Sequence, residues 1–227
     1  MKQLVGRKMG MTQVFATDGT SYAVTVIEVL PNVVTQVKTL EKDGYVAVQV
    51  GVEDAKEQNV NKPMKGIFAK ANVTPKKHLF ELKGDEMANF AVGSEIKADL
   101  FAQNDIVDVI GTTKGHGYTG TIKRWNMKIG PKGHGASGPH RLQGSFANNG
   151  RCNNRVIPGK HMSGHYGNES CTIQNILVVE SNAEKGYILV KGGIPGARYS
   201  FVKLQTAYRT QKGTKQTVKP LVGREAK

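Results

Sequence analysis

Cysteines and long apolar runs are scarce in this chain, and each scarcity closes off a class of protein. Two cysteines, Cys152 and Cys171, among 227 residues cannot frame a disulfide scaffold, so incidental thiols in a reducing compartment are expected. The longest apolar runs, of the kind seen at Asn175–Glu180, fall far short of the roughly 18 residues that a membrane span needs. Met1–Gly10 carries charges and no apolar core, so no secretory leader is expected there. With 38% hydrophobic residues, 22% charged residues and 27 glycines, the composition is that of an ordinary globular chain and excludes wholesale disorder. A soluble, cytoplasmic protein is the first expectation.

The most informative scarcity is local. From Val109 to Asn168 there is no Asp or Glu, yet these 60 residues hold nine Lys or Arg, five of the six His and 13 of the 27 Gly. Residues 1–108 are balanced, with 13 basic and 14 acidic side chains, and residues 169–227 hold ten against four. The whole chain carries a net charge of +14. No carboxylate inside the acid-free stretch can neutralise its cations. An external polyanion must do so, and a polyphosphate is the natural candidate.

Hydrophobic patterning predicts strands at Tyr22–Leu30, Val33–Lys38, Tyr45–Val52, Ile106–Ile110, Asn175–Glu180 and Tyr187–Lys191. In the third, Val46, Val48, Val50 and Val52 share one face at period two. Asp18-Gly19 and Asp43-Gly44 are hairpin signals, because both dipeptides tolerate the positive φ of primed turns. Pro63–Ala71 reads as a short helix that must stop before Pro75. Residues 182–186 read as a turn, and Gly192-Gly193-Ile194-Pro195-Gly196 as a turn closing a strand. From Thr112 to Asn168 neither period is sustained. A glycine-rich, acid-free segment cannot bury enough apolar surface to offset an ordering cost of roughly 1–2 kcal/mol per residue. The expectation is therefore a structureless extension threaded into nucleic acid and mobile when free.

The candidate RNA-binding side chains of the extension are Lys114, His116, Lys123, Arg124, Trp125, Lys128, Lys132, His134, His140, Arg141, Arg151, Arg155, Lys160, His161 and His165, interleaved with Tyr118, Phe146 and Tyr166. Lys and Arg suit phosphate oxygens, and Arg can engage two at once. Tyr118 and Trp125 suit stacking on splayed bases, the usual way of holding irregular RNA. Trp125 is equally suited to anchoring the root of the extension against the body.

Two competing chemistries are weaker. Cys152, His161, His165 and Cys171 are zinc-type ligands, but neither cysteine has a close CxxC partner, so no metal is expected. The histidines could supply acid and base for RNA cleavage. However, the extension has no carboxylate to orient an imidazole or hold magnesium, and no GxxxxGK[ST], GxSxG or HExxH motif occurs. A histidine-dependent ribonuclease, or another non-ribosomal RNA-binding protein, stands as the alternative. No cofactor, small-molecule substrate or membrane partner is expected.

Several motifs in order then resemble one family. Gly6-Arg7-Lys8-Met9-Gly10-Met11-Thr12-Gln13-Val14-Phe15 is similar to the opening of large-subunit ribosomal protein number three, the universal L-three family. So are Val33–Lys38, Asn59–Pro63, Gly111–Gly120, Lys123–Asn126, Gly144-Ser145, Gly159–His165 with Gly167–Glu169, and Val190–Gly196, collinearly from about Gly6 to about Val202. The resemblance implies a mainly β fold: a six-stranded barrel of the translation-protein type, with a long irregular inserted extension and a basic C-terminal tail. The implied division is a body of residues 1–111 and 169–205, an extension of 112–168 and a tail of 206–227. It further implies binding to 23S rRNA, a role early in subunit assembly, contact with neighbouring large-subunit proteins, and an extension directed toward the peptidyl transferase centre.

The chain departs from bacterial relatives at the extension tip. They usually carry Ser/Thr-Pro-Gly-Arg/Lys-Val there, whereas Cys152-Asn153-Asn154-Arg155-Val156 lacks the Pro-Gly, and Pro158 stands where Lys is common. One residue is inserted between Gly144 and Val156. No Gln lies between Gln143 and Gln174, so the glutamine methylation of some relatives is not carried over. The tail offers Arg209, Lys212, Lys215, Lys219 and Arg224 either as a further rRNA contact or as a disordered basic end.

Overall fold

The computed structural model describes residues 1–136, 138, 140–146, 155–209 and 217–222. The chain separates into two compact units: Met1–Thr112 with Ser170–Lys227, here the body, and Thr113–Glu169, here the arm.

The body contains β1 (Gln3–Phe15), β2 (Ser21–Glu28), β3 (Asn32–Lys38), β4 (Ala47–Asp54), β5 (Lys76–Lys83), β6 (Glu95–Ile96), β7 (Ile106–Thr112), β10 (Ser170–Asn182), β11 (Tyr187–Lys191) and β12 (Phe201–Thr206). β8 and β9 belong to the arm. Six strands close into an antiparallel barrel in the order β1-β12-β7-β10-β11-β2, so the mainly β, six-stranded expectation holds. A second sheet runs β5-β4-β3-β6. One continuous core joins the two, with Leu4, Ile27, Val109, Val178, Ile188 and Leu204 from the barrel and Val34, Val48, Val50, Val52 and Leu82 from the second sheet.

Closing so small a barrel needs bent strands, and register shifts supply the bends. They fall between Lys8 and Gly10, between Ile173 and Ile176, and between Val178 and Glu180. The second is held by buried Asp108, whose carboxylate accepts the Asn175 N–H at 2.9 Å and the Tyr208 N–H at 3.1 Å. These irregularities hid strands from pattern reading. β1 was not predicted, since its bulge and the glycines at 6 and 10 break the alternation. β10 extends well beyond the predicted Asn175–Glu180 at both ends, and β5 and β12 were also unread.

Two local expectations need correction. Asp43-Gly44 does lie in the β3–β4 hairpin with Gly44 in the left-handed region, but a one-turn helix, α1 (Leu40–Asp43), makes the connection in place of a primed turn. Residues 217–222 are not a disordered basic end. Val218 joins Tyr22, Val24 and Leu189 in a second apolar cluster, and Leu221 bridges Ala16. Lys219, expected as an rRNA contact, places its ammonium on Asp18. Lys212, Lys215 and Arg224 lie outside the described residues. The helix is as predicted to within one residue: α2 (Lys62–Ala71) has Pro63 in its first turn and buries Phe68 and Ala71.

Candidate nucleic-acid interface

The arm leaves the body from β7 and returns into β10, which pair from Thr112 opposite Ser170. It is not structureless. β8 (Gly117–Thr119) pairs antiparallel with β9 (Gly164–Tyr166), Tyr118 opposite His165, and α3 (Thr121–Trp125) follows β8. Three-residue strands and a five-residue helix are too short to print a period on the sequence, which is why they were missed.

Main-chain contacts clasp the root. The Thr113 N–H reaches the Glu169 carbonyl at 2.9 Å, and the His116 N–H reaches the Tyr166 carbonyl at 2.8 Å. Gly167, at φ +77°, makes this approach possible, because a Cβ there would stand 2.0 Å from the Lys114 carbonyl oxygen.

Aromatic and guanidinium planes then stack along the arm. His116 lies on Tyr166, with ring centroids 5.1 Å apart. Trp125 and His161 are parallel to within 2°, with centroids 3.9 Å apart. The Arg124 guanidinium lies 5.0 Å from the Trp125 ring centroid. Both side chains converge on one acceptor, the Met162 carbonyl, which receives Arg124 Nη1–H at 3.0 Å and Trp125 Nε1–H at 2.9 Å. Trp125 was expected to meet a base or the body, and neither expectation named His161. Farther along, His140 Nδ1 pairs with the Pro131 carbonyl at 2.8 Å, and the Gln143 amide donates to the His161 carbonyl. Ile129, Leu142 and Phe146 are exposed beside Lys128.

Of the predicted binding residues, Arg124 and His140 are half-buried. Lys114, His116, Lys123, Trp125, Lys128, Lys132, His134, Arg141, Arg155, Lys160, His161 and His165 are exposed. Arg151 lies outside the described residues, as does Cys152 of the zinc-type set. Among the described residues, no group of three or more His, Cys, Asp or Glu side chains could hold a metal. Sequence reasoning missed Met162 and Ser163. Met162 acts through a main-chain carbonyl, which leaves no side-chain signal, and the Ser163 hydroxyl meets Tyr118 OH at 2.9 Å.

The ion pairs among the described residues join body groups only. In the arm, Lys114, Lys123, Arg124, Lys128, Lys132, Arg141 and Lys160 have no carboxylate partner among them. The body's pairs shift their titrations in the expected sense. A hydrogen bond from Lys219 is the main cause that lowers Asp18 from its usual 3.8 to about 2. A hydrogen bond from Lys38 likewise holds Glu81 below the ordinary carboxylate range. The arm is thus a rack of flat rings and uncompensated cations, suited to phosphates and bases.

Known proteins bear on this geometry. The family described as Ribosomal protein L3 matches residues 85–186. The Large ribosomal subunit protein uL3 of Latilactobacillus sakei is 51% identical over 93% of this chain and 99% of its own length. The uL3 of Halalkalibacterium halodurans is 48% identical over 92% of this chain and 99% of its own. That of Lactobacillus helveticus is 46% identical over 94% and 99%.

Proposed function

We propose, since the chain belongs to the ribosomal protein L3 family, that it is a structural constituent of the large subunit of the cytoplasmic ribosome, held there by its arm on 23S rRNA. The observation that carries the rRNA reading is the arm's run of exposed cations from Lys114 to Lys160, in a stretch of sequence that holds no Asp or Glu before Glu169 at the arm's end. Phosphates supply the missing charge, and the stacked Arg124, Trp125 and His161 planes stiffen the arm so that its cations are presented together. The body acts as the fixed mount. Neighbouring large-subunit proteins, an early place in assembly and an arm directed toward the peptidyl transferase centre belong to the same proposal.

Membership removes the ribonuclease alternative. The family is one of structural proteins, not enzymes, and His116 and His161 spend ring faces on Tyr166 and Trp125.

The test is the salt dependence of binding to a 23S rRNA transcript. If about five to nine cations meet phosphates, the log–log slope lies between about −3.5 and −8. A flat response defeats the electrostatic account. Co-sedimentation with the large subunit in a lysate at moderate salt is the expected companion result.

A further inference from the structure

The body carries a cationic cluster that the arm does not explain. Arg7 stands on β1, and Arg198 and Tyr199 stand on the loop between β11 and β12. The two guanidinium carbons lie 5.6 and 4.9 Å from the Tyr199 ring centroid, and the ring is 50% exposed. Among the described residues neither guanidinium is in an ion pair. Glu28, opposite Arg7 in the β1–β2 register, does not reach ion-pair distance.

Tyr199 sits at φ +67°, a region that a bulky side chain seldom enters. The surrounding loop enforces it. The Tyr199 N–H reaches the Lys8 carbonyl at 2.7 Å, and the Lys8 N–H reaches the Ser200 carbonyl at 2.9 Å. The Lys8 ammonium ties down the carbonyls of Ile194 and Gly196 at 2.7 and 2.8 Å. Gly196, at φ +103°, passes so close to Ser200 that a Cβ would stand 2.4 Å from its hydroxyl oxygen. A clamped loop therefore holds a strained tyrosine outward between two unpaired guanidinium groups. Strain kept against solvent is found where a side chain must be presented rather than packed.

We propose that Arg7, Arg198 and Tyr199 form a second RNA contact, on the barrel, in which an unstacked rRNA base lies on the tyrosine and guanidinium planes while its phosphate meets the guanidinium donors. The inference rests on the rRNA reading of the chain. An acidic peptide satisfies the charges but leaves the ring and the flat guanidinium faces uncovered. A nucleotide covers both.

The test uses the full chain and a 23S rRNA transcript. Tyr199→Gly weakens binding by about 5- to 100-fold, while the melting temperature stays level or rises because glycine tolerates the backbone conformation. Tyr199→Phe keeps the ring and the affinity. Arg198→Ala lowers the salt slope by about 0.7–0.9. If Tyr199→Gly fails to fold, the slope of Arg198→Ala decides alone. Unchanged affinity and slope in these variants overturns the second contact and points to an acidic protein partner. Absence of binding by the unaltered chain instead defeats the rRNA reading itself.

Discussion

Body and arm handle charge and burial under opposite rules. In the body, Lys38 faces Glu81, Lys76 faces Asp54 at 2.6 Å and Lys219 faces Asp18, over a continuous apolar core. In the arm, no hydrophobic side chain among the described residues is buried, and only Thr119, Thr121 and Gly167 are withdrawn from solvent. Such exposed ion pairs contribute little individually. Their presence matters because they meet part of the body's charge within the body itself. Among its described residues the arm has short hydrogen-bonded pieces and ring stacks, but nothing like a core. One stretch of sequence is built to be stable alone, the other to be completed by a partner.

The sharpest way to break this contrast is truncation of an apolar side chain in each region. Leu204→Ala, in the barrel core, should cost about 2–5 kcal/mol in urea unfolding. Leu142→Ala, exposed on the arm, should stay within about 0.5 kcal/mol. Equal losses would mean that the arm has a core of its own. Next in size, replacing residues 113–169 by a short glycine turn, which the facing Thr112 and Ser170 permit, should leave the barrel's melting intact. The same replacement should abolish most of the salt slope on 23S rRNA. Loss of the barrel in this variant would show the two regions to be one folding unit.

Smaller effects sharpen the arm's internal order. Gly167→Ala forces the root apart, at a cost of about 1–3 kcal/mol. It should appear as weaker rRNA binding at an unchanged barrel melting temperature. His161→Ala removes the stacking partner of Trp125, the chain's sole tryptophan, so the emission spectrum reports the arm directly. A red shift without barrel destabilisation is expected, from the loss of roughly 0.5–1.5 kcal/mol of stacking.

The smallest effect concerns the Asp18–Lys219 pair. Because the folded state lowers the Asp18 pKa to about 2, the pair's contribution is complete above the usual 3.8 and is lost as pH falls through about 2. Hydrogen exchange at the Thr17 and Val222 amides, bonded across this junction, should stay protected at pH 5. Protection should fade near pH 2, and Asp18→Asn should reproduce the loss at neutral pH. Unaltered protection would assign the anchoring to Val218 and Leu221 alone.

Legibility followed the same divide. Tyr187–Lys191 coincides with its predicted strand because its short continuous apolar run, Tyr187 to Val190, fills one barrel strand without a break. β1 and the start of β10 escaped because their bulges and positive-φ Asn175 disrupt period two. The charge of the arm was plain in composition. Its stacks were not, because Trp125 meets His161, and His116 meets Tyr166, only after the chain has folded back on itself.

Composition and order alone determined that this chain has a self-neutral part and an acid-free part, since charge is counted without coordinates. Short-range hydrophobic patterning determined six of the twelve strands among the described residues, because a strand's pattern is written in adjacent residues. Tertiary structure alone decided that Lys219 belongs to Asp18, that the Met162 carbonyl gathers Arg124 and Trp125, and that Tyr199 stands outward between Arg7 and Arg198. Each of these joins residues distant in sequence or acts through the backbone, and neither leaves a local pattern to read.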